Sequence, residues 1–219
     1  MIPVDPEREA EKQRAAEAAA QMVEDSMTVG LGTGTTVAYL LPALARRNLS
    51  IRCVATSPRT QRVATQLGLQ VEPFAFERLD IAIDGADQVS PDGWLVKGGG
   101  GAHTREKLVA AAAEVFVVIA DSTKMVDTLH PPIPLEVLTF GAESTFARIG
   151  TVRRREGPLT PDDGLLADFI GEFEDPAILA RELEGDPGVL GHGLFPPEMV
   201  RTVLIGRGDH VEQIELPTR

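Results

Sequence analysis

Four short apolar runs, Met27-Thr28-Val29, Ile51-Arg52-Cys53-Val54-Ala55, Leu79-Asp80-Ile81-Ala82-Ile83 and Phe116-Val117-Val118-Ile119-Ala120, alternate with helix-forming stretches through the first half of the chain. That alternation allows few folds. A strand followed by a helix and another strand returns in the same direction, so the strands pair in parallel and the helices cover the sheet. The helical stretches run from Pro6 to Val23, from Val37 to Arg47, from Thr60 to Leu67 and from Glu106 to Glu114, and Pro6 suits a first helical position. Gly68 fits the residue just past a helix end. Leu69-Gln70-Val71 and Trp94-Leu95-Val96 add short strands. The expectation is an α/β fold built on a Rossmann-like parallel sheet.

The texture changes at His130-Pro131-Pro132-Ile133-Pro134, a proline-rich joint. Beyond it come Leu135 to Leu138, a helix from Ser144 to Ile149, Thr151 to Arg155, Leu165 to Ile170 and a helix from Pro176 to Leu183. This β-α-β-β-α order points to a smaller α+β domain of ferredoxin-like type. The tail strands, Thr202 to Gly206 and Val211 to Ile214, fit either sheet by pattern. The expected division is residues 1–130 plus 203–219 as an α/β catalytic domain and residues 131–202 as the small α+β domain.

Loops that follow strands are where open parallel sheets place ligands, and here they carry the chemistry. Asp84-Gly85-Ala86-Asp87 follows one strand; Lys97-Gly98-Gly99-Gly100-Gly101 and then Thr104-Arg105-Glu106-Lys107 come soon after. Carboxylates and a cation beside backbone that can approach a ligand closely suit proton transfer on a small anionic substrate. Gly30-Leu31-Gly32-Thr33-Gly34-Thr35-Thr36 joins a strand to a helix, with N–H groups and three hydroxyls to offer a phosphate. It lacks the Gly-Lys-Ser/Thr ending of a Walker loop and the spacing of the dinucleotide fingerprint. Lys12 lies on the small-residue face of the first helix with Ala15, Ala16 and Ala19, and Lys124 follows the strand that ends at Ala120.

Several classes are disfavoured. A net charge of −12 argues against nucleic acid or an anionic membrane as the main partner. Met1 to Glu7 shows no secretory pattern, and the single cysteine, Cys53, suits a reducing compartment, so a cytoplasmic protein is expected. His103, His130, His192 and His210 show no metal-ligand spacing, and Ser57, Ser122 and Ser144 lack a nucleophile context.

Together these segments resemble the type A family of ribose-5-phosphate isomerases. Lys12 is similar to that family's N-terminal helix lysine, Gly30 to Thr36 to its phosphate loop, and Asp84 to Asp87 and Lys97 to Gly100 to its two substrate loops. Thr104 to Lys107 resembles the segment bearing its catalytic glutamate, and Lys124 its Ser-Lys position. Gly188-Val189-Leu190-Gly191-His192-Gly193-Leu194-Phe195 is similar to its C-terminal signature. Gln88, Thr35, Gly101 and Thr123 depart from the usual residues, and Gln88 removes a charge beside Asp87.

The resemblance implies interconversion of ribose 5-phosphate and ribulose 5-phosphate through an enediolate, without cofactor or metal, by a homodimer or homotetramer. It implies Glu106 as the proton-shuttling base, Lys97 as an oxyanion donor, and Asp84 and Asp87 as hydroxyl-binding, ring-opening groups whose division of work is open. Lys12, Thr33, Gly34, Thr35, Thr36 and Lys124 would hold the phosphate, with Gly85, Ala86, Gly98, Gly99 and Gly100 lining the substrate. An amino-sugar phosphate deaminase, a CoA-transferase-like enzyme and a sugar-phosphate-sensing regulator are the rival readings.

Overall fold

The computed structural model describes residues 5–217. Residues 1–4 and 218–219, which the expected domain bounds and the N-terminal reading include, lie outside the described residues. In chain order the elements are α1 (Pro6–Gln21), β1 (Thr28–Leu31), α2 (Val37–Arg47), β2 (Arg52–Ala55), α3 (Pro58–Gln66), β3 (Gln70–Val71), β4 (Leu79–Gly85), β5 (Gln88–Val89) and β6 (Leu95–Val96). Then come α4 (His103–Ala112), β7 (Ala113–Asp121), β8 (Ile133–Leu138), α5 (Ala142–Ile149), β9 (Val152–Arg154), β10 (Gly164–Phe169) and α6 (Pro176–Gly185). The last four are β11 (Val189–His192), β12 (Leu194–Phe195), β13 (Thr202–Arg207) and β14 (His210–Glu215). The chain forms two compact units: one takes the segments up to Ala86, Arg105–Lys124 and from Glu198 onward, the other Asp87–Thr104 and Met125–Pro197.

The first unit is built on a seven-stranded sheet of order β14-β13-β7-β4-β1-β2-β3. Every neighbouring pair is parallel except the β13–β14 hairpin. The period-two alternation of its central strands explains how both faces are covered. Val29 and Leu31 of β1, Ile81 and Ile83 of β4, and Val117 and Ile119 of β7 enter one apolar cluster with Ala15, Ala16, Ala19 and Ala20 of α1 and Leu40, Leu41 and Leu44 of α2. Gly30 and Ala82 take the other face, where α4 comes so close that a Cβ on Gly30 would overlap Val109. The tail strands join this sheet, β13 beside β7.

Helix starts follow local rules. Asp5 accepts a hydrogen bond from the Glu7 N–H at 3.1 Å, Ser57 from the Thr60 N–H at 3.1 Å and Asp175 from the Ala177 N–H at 2.8 Å, each followed by proline at the first helical position. The helix expected over Glu106 to Glu114 instead spans His103–Ala112. Ala113 and Glu114 favour helix intrinsically, but Ala113 pairs with Leu79 and Val115 with Ile81, so the ladder to β4 takes them into β7.

The second unit holds a four-stranded sheet of order β11-β8-β10-β9. All its pairings are antiparallel, with α5 between β8 and β9 and α6 between β10 and β11. The order β-α-β-β-α-β with the first and third strands central is the ferredoxin-like arrangement. Ile133, Leu135 and Val137 of β8 pack with Ala167 and Phe169 of β10 and Leu179 and Leu183 of α6. A small third sheet, β12-β6-β5, completes this unit.

Candidate active site

The spatial order β3-β2-β1-β4-β7 in the first unit puts a switch point at β1 and β4, because the chain leaves β1 toward β2 but returns on the other side at β4. Loops leaving the carboxyl ends of such a pair diverge and open a crevice. The loop after β1 is Gly32 to Thr36, and β4 ends on Asp84-Gly85. Asp84 is 3% exposed, and its Oδ1 accepts hydrogen bonds from the Thr33 N–H at 3.0 Å and the Gly85 N–H at 2.7 Å. A Cβ on Gly32 would overlap that carboxylate, coming within 2.5 Å of the Asp84 Cβ. Thus Gly32 makes room for the acid and Thr33 orients it.

Thr33 has a second engagement. Its hydroxyl lies 2.9 Å from the Thr56 and 3.2 Å from the Thr60 hydroxyl, and Thr60 donates to the Gly32 carbonyl at 2.9 Å. The loop is therefore stapled to the start of α3. Thr35 is exposed, Thr36 is buried at the entry to α2, and Gly34 adopts a φ of 136° that a residue with a Cβ rarely takes. Thr56 and Thr60 were absent from the sequence-based set, although Ser57-Pro58 marks the helix start that carries them.

Lys12 is buried on α1, as its small-residue neighbours suggest, and its ammonium donates to Glu9 Oε1 at 2.6 Å. Glu9 Oε2 accepts from the Tyr39 hydroxyl at 2.7 Å, linking α1 to the first turn of α2. The Lys12 hydrogen bond, then that of Tyr39, holds the Glu9 carboxyl below its usual range. Lys124 ends a short 3-10 turn after β7 and, among the described residues, makes no ion pair. Glu11 holds the start of that turn: Oε2 accepts from the Ser122 N–H at 3.0 Å and hydroxyl at 2.7 Å, and Oε1 from the Gly208 N–H at 2.8 Å. Burial raises the Glu11 carboxyl, but these donors outweigh it and leave it below its usual range. Glu106 lies in the first turn of α4, 5% exposed. Ala86 is half-buried where the chain passes to the second unit.

In the second unit, Asp87 is exposed and accepts from the Gly99 N–H at 2.7 Å. The glycine run turns back on itself, with the Gly101 N–H on the Gly98 carbonyl at 3.0 Å. A Cβ at Gly98 would lie 2.6 Å from His103 Nδ1, and Gly98 has a φ of 107°. Gly100 is exposed within this turn.

Lys97 follows β6 and is 2% exposed, its ammonium 5.3 Å from the centroid of the Phe195 ring, a cation–π distance. The Gly188 to Phe195 segment supports these loops. Gly193 accepts from the Lys97 N–H at 2.8 Å, and its own Cβ would overlap the Lys97 carbonyl. A Cβ on Gly191 would meet the Thr104 hydroxyl at 2.5 Å. Gln88 reads the backbone of His130, donating to its carbonyl at 2.8 Å and accepting from its N–H at 2.9 Å. An ionised glutamate could accept there but not donate, which accounts for the amide at this position. Arg155, which escaped the sequence reading inside a run of arginines, also touches the glycine loop, and Asp168 of the buried strand β10 holds Arg155.

Among the described residues no cluster of three or more His, Cys, Asp or Glu is placed to hold a metal ion, and no helix is long and apolar enough to cross a membrane. Cys53 is buried and its thiol is pushed up to about 12 by burial, which keeps it protonated and unreactive.

Fold and site together define an α/β protein with a parallel-dominated sheet, whose strand-end loops present an oriented, buried carboxylate and a hydroxyl-rich helix start. The family model for ribose 5-phosphate isomerase A (phosphoriboisomerase A) matches residues 52–210. A ribose-5-phosphate isomerase A of Natronomonas pharaonis is 44% identical over 218 residues, covering 93% of this chain and 96% of that protein. The solved ribose 5-phosphate isomerase A of Neisseria gonorrhoeae superposes with a TM-score of 0.91 at 29% identity, covering 96% of this chain and 98% of its own. A D-ribose-5-phosphate isomerase solved in complex with phospho-erythronic acid gives 0.89 at 30% identity, over 95% of this chain and 99% of its own. The protein belongs to the ribose 5-phosphate isomerase A family. A DeoR C terminal sensor domain model matches only residues 7–67, so the regulator reading is not favoured.

Proposed function

We propose that this protein interconverts D-ribose 5-phosphate and D-ribulose 5-phosphate in the non-oxidative pentose phosphate pathway. The observation that carries the reading is the Asp84 carboxylate, buried at the β1–β4 switch point and fixed by the backbone of the glycine–threonine loop, in a chain of this family.

Asp84 and Asp87 bind sugar hydroxyls and open the furanose ring, moving the O1 proton to the ring oxygen. The Glu106 carboxylate then takes the proton from C2; the electron pair forms the C1–C2 double bond and the carbonyl oxygen becomes an enediolate oxyanion. The Lys97 ammonium and nearby backbone N–H groups stabilise that charge. With the O2 proton passed to O1, Glu106 returns its proton to C1, leaving the ketone at C2. Gly85, Ala86, Gly98, Gly99 and Gly100 line the reacting carbons.

The phosphate is held by Gly34, Thr35 and Thr36 with Thr33, and by Lys12 and Lys124. Glu9 ties the Lys12 ammonium to Tyr39 at the first turn of α2, while Lys124 makes no ion pair among the described residues. We further propose a cytoplasmic homodimer or homotetramer, with residues 1–130 plus 203–219 as the catalytic domain and 131–202 as the smaller one.

A coupled assay with ribose 5-phosphate tests the activity, and the reading needs no cofactor. Turnover is expected to survive exhaustive dialysis against EDTA; loss that one particular metal restores would overturn the proton-transfer scheme. Lys124→Ala is expected to raise KM for ribose 5-phosphate about 10-fold or more, while barely changing the slow reaction of unphosphorylated ribose. An equal loss for both sugars would place Lys124 in folding or at the reacting carbons instead.

A further inference from the structure

Next to the ferredoxin-like sheet, the side chain of Arg155 hydrogen-bonds the glycine loop. Arg155, just past β9, donates from Nη1 to the Gly98 carbonyl at 2.9 Å and toward the Gly99 carbonyl at 3.4 Å. Its Nε and Nη2 both donate to Asp168 Oδ1, at 3.1 and 2.6 Å. Asp168 is buried on β10 and receives a second cation, Arg153, at 3.5 Å on its other oxygen. The guanidinium is thus gripped on one edge by a carboxylate and spends its remaining nitrogen on the loop.

The carbonyl of Gly98 and the N–H of Gly99 belong to one peptide unit. In a trans peptide they point in opposite directions, and this N–H donates to Asp87 Oδ2 at 2.7 Å. One flat amide therefore bridges Arg155 and Asp87. Pulling the carbonyl toward a cation fixes the plane of the peptide and polarises its N–H toward the carboxylate. The Gly101 N–H also reaches the Gly98 carbonyl at 3.0 Å, but that bond lies within a glycine run that has few conformational preferences of its own, so Arg155 is the anchor from outside it. A lysine could not supply the grip, because it lacks the planar fork that binds Asp168 and the carbonyl together.

We propose that Arg155, locked by Asp168, is a positioning residue that sets the Gly98–Gly99 peptide and through it holds the Asp87 carboxylate in its working orientation. The proposal rests on the role assigned above to Asp87.

A double-mutant cycle tests it. R155M is expected to lower kcat/KM by about 10- to 30-fold in the otherwise unchanged enzyme, but by less than about 3-fold in a D87N background, because residues acting through one another lose additivity. R155K should recover only part of the loss, and it keeps a cation at the site if R155M folds poorly. In protein labelled with ¹⁵N-glycine, R155M and R155K should shift the Gly99 amide resonance upfield while the thermal midpoint stays within a few degrees. Equal losses in both backgrounds, or an unmoved Gly99 resonance, would make Arg155 a structural ion pair and overturn the proposal. A fully active D87N would instead overturn the role of Asp87, and the Gly99 resonance would still decide whether Arg155 sets the peptide.

Discussion

Glu106→Gln is expected to lower turnover at least ~100-fold, the lower range for loss of a general base, while KM for ribose 5-phosphate changes little. The amide keeps the size of the side chain and one acceptor oxygen but cannot take a proton from carbon. Glu106 is 5% exposed in the first turn of α4, where a side chain of the same size opens no cavity. Exchange of the C2 hydrogen with deuterated solvent should fall in parallel with turnover. A variant that kept more than about half its activity would remove Glu106 from the chemistry.

Gly32→Ala should be nearly as severe for a different reason. The added methyl would occupy the space of the Asp84 carboxylate. Asp84 has a short side chain, so the clash is relieved only by turning its carboxylate off the Thr33 and Gly85 N–H groups or by shifting β1 against β4. Breaking charge-assisted hydrogen bonds to a buried acid costs about 2–3 kcal/mol, and moving a substrate-binding group by an ångström costs on the order of 100-fold in rate. Both a lower thermal midpoint and a loss of kcat/KM are therefore expected. Gly185→Ala is the control, since a Cβ there meets nothing within 4 Å and its φ lies outside the left-handed region. If Gly32→Ala matched wild type in both measurements, the tight approach of loop and acid would have no energetic meaning.

The alternation of strands and helices made the parallel sheet legible, because buried parallel strands are apolar throughout and helices between them are amphipathic or alanine-rich. The two-residue strands β5 and β12 were not, since two residues have no period. The start of α4 was missed for a related reason: His103 and Thr104 are ordinary helix residues placed beside glycines that read as loop. Among site residues, Asp84, Asp87 and Lys97 stood out because charge at a strand end is unusual, and Glu106 because its segment resembles the family's glutamate segment. Their supports did not. Thr56 and Thr60 look like helix-cap residues, Glu11 like one more acid on a charged helix, and Arg155 like one of three surface arginines. What distinguishes them is a partner far away in the chain, and one sequence carries no record of that pairing.

The position of β13 bears on how the chain is made. β7, whose residues Val117 to Ala120 are entirely enclosed, has β4 on one side and β13 on the other. During synthesis β7 leaves the ribosome with one neighbour in place, and its second edge has no partner until Thr202 to Arg207 have been translated. Across that interval an apolar strand offers a row of unpaired backbone groups, the template on which other chains aggregate. A chain interrupted between Asp121 and Thr202 would keep the residues Asp84, Lys97 and Glu106 yet leave β7 open. Truncated products should therefore be recovered with chaperones or in the insoluble fraction, and their defect would be exposure, not missing chemistry.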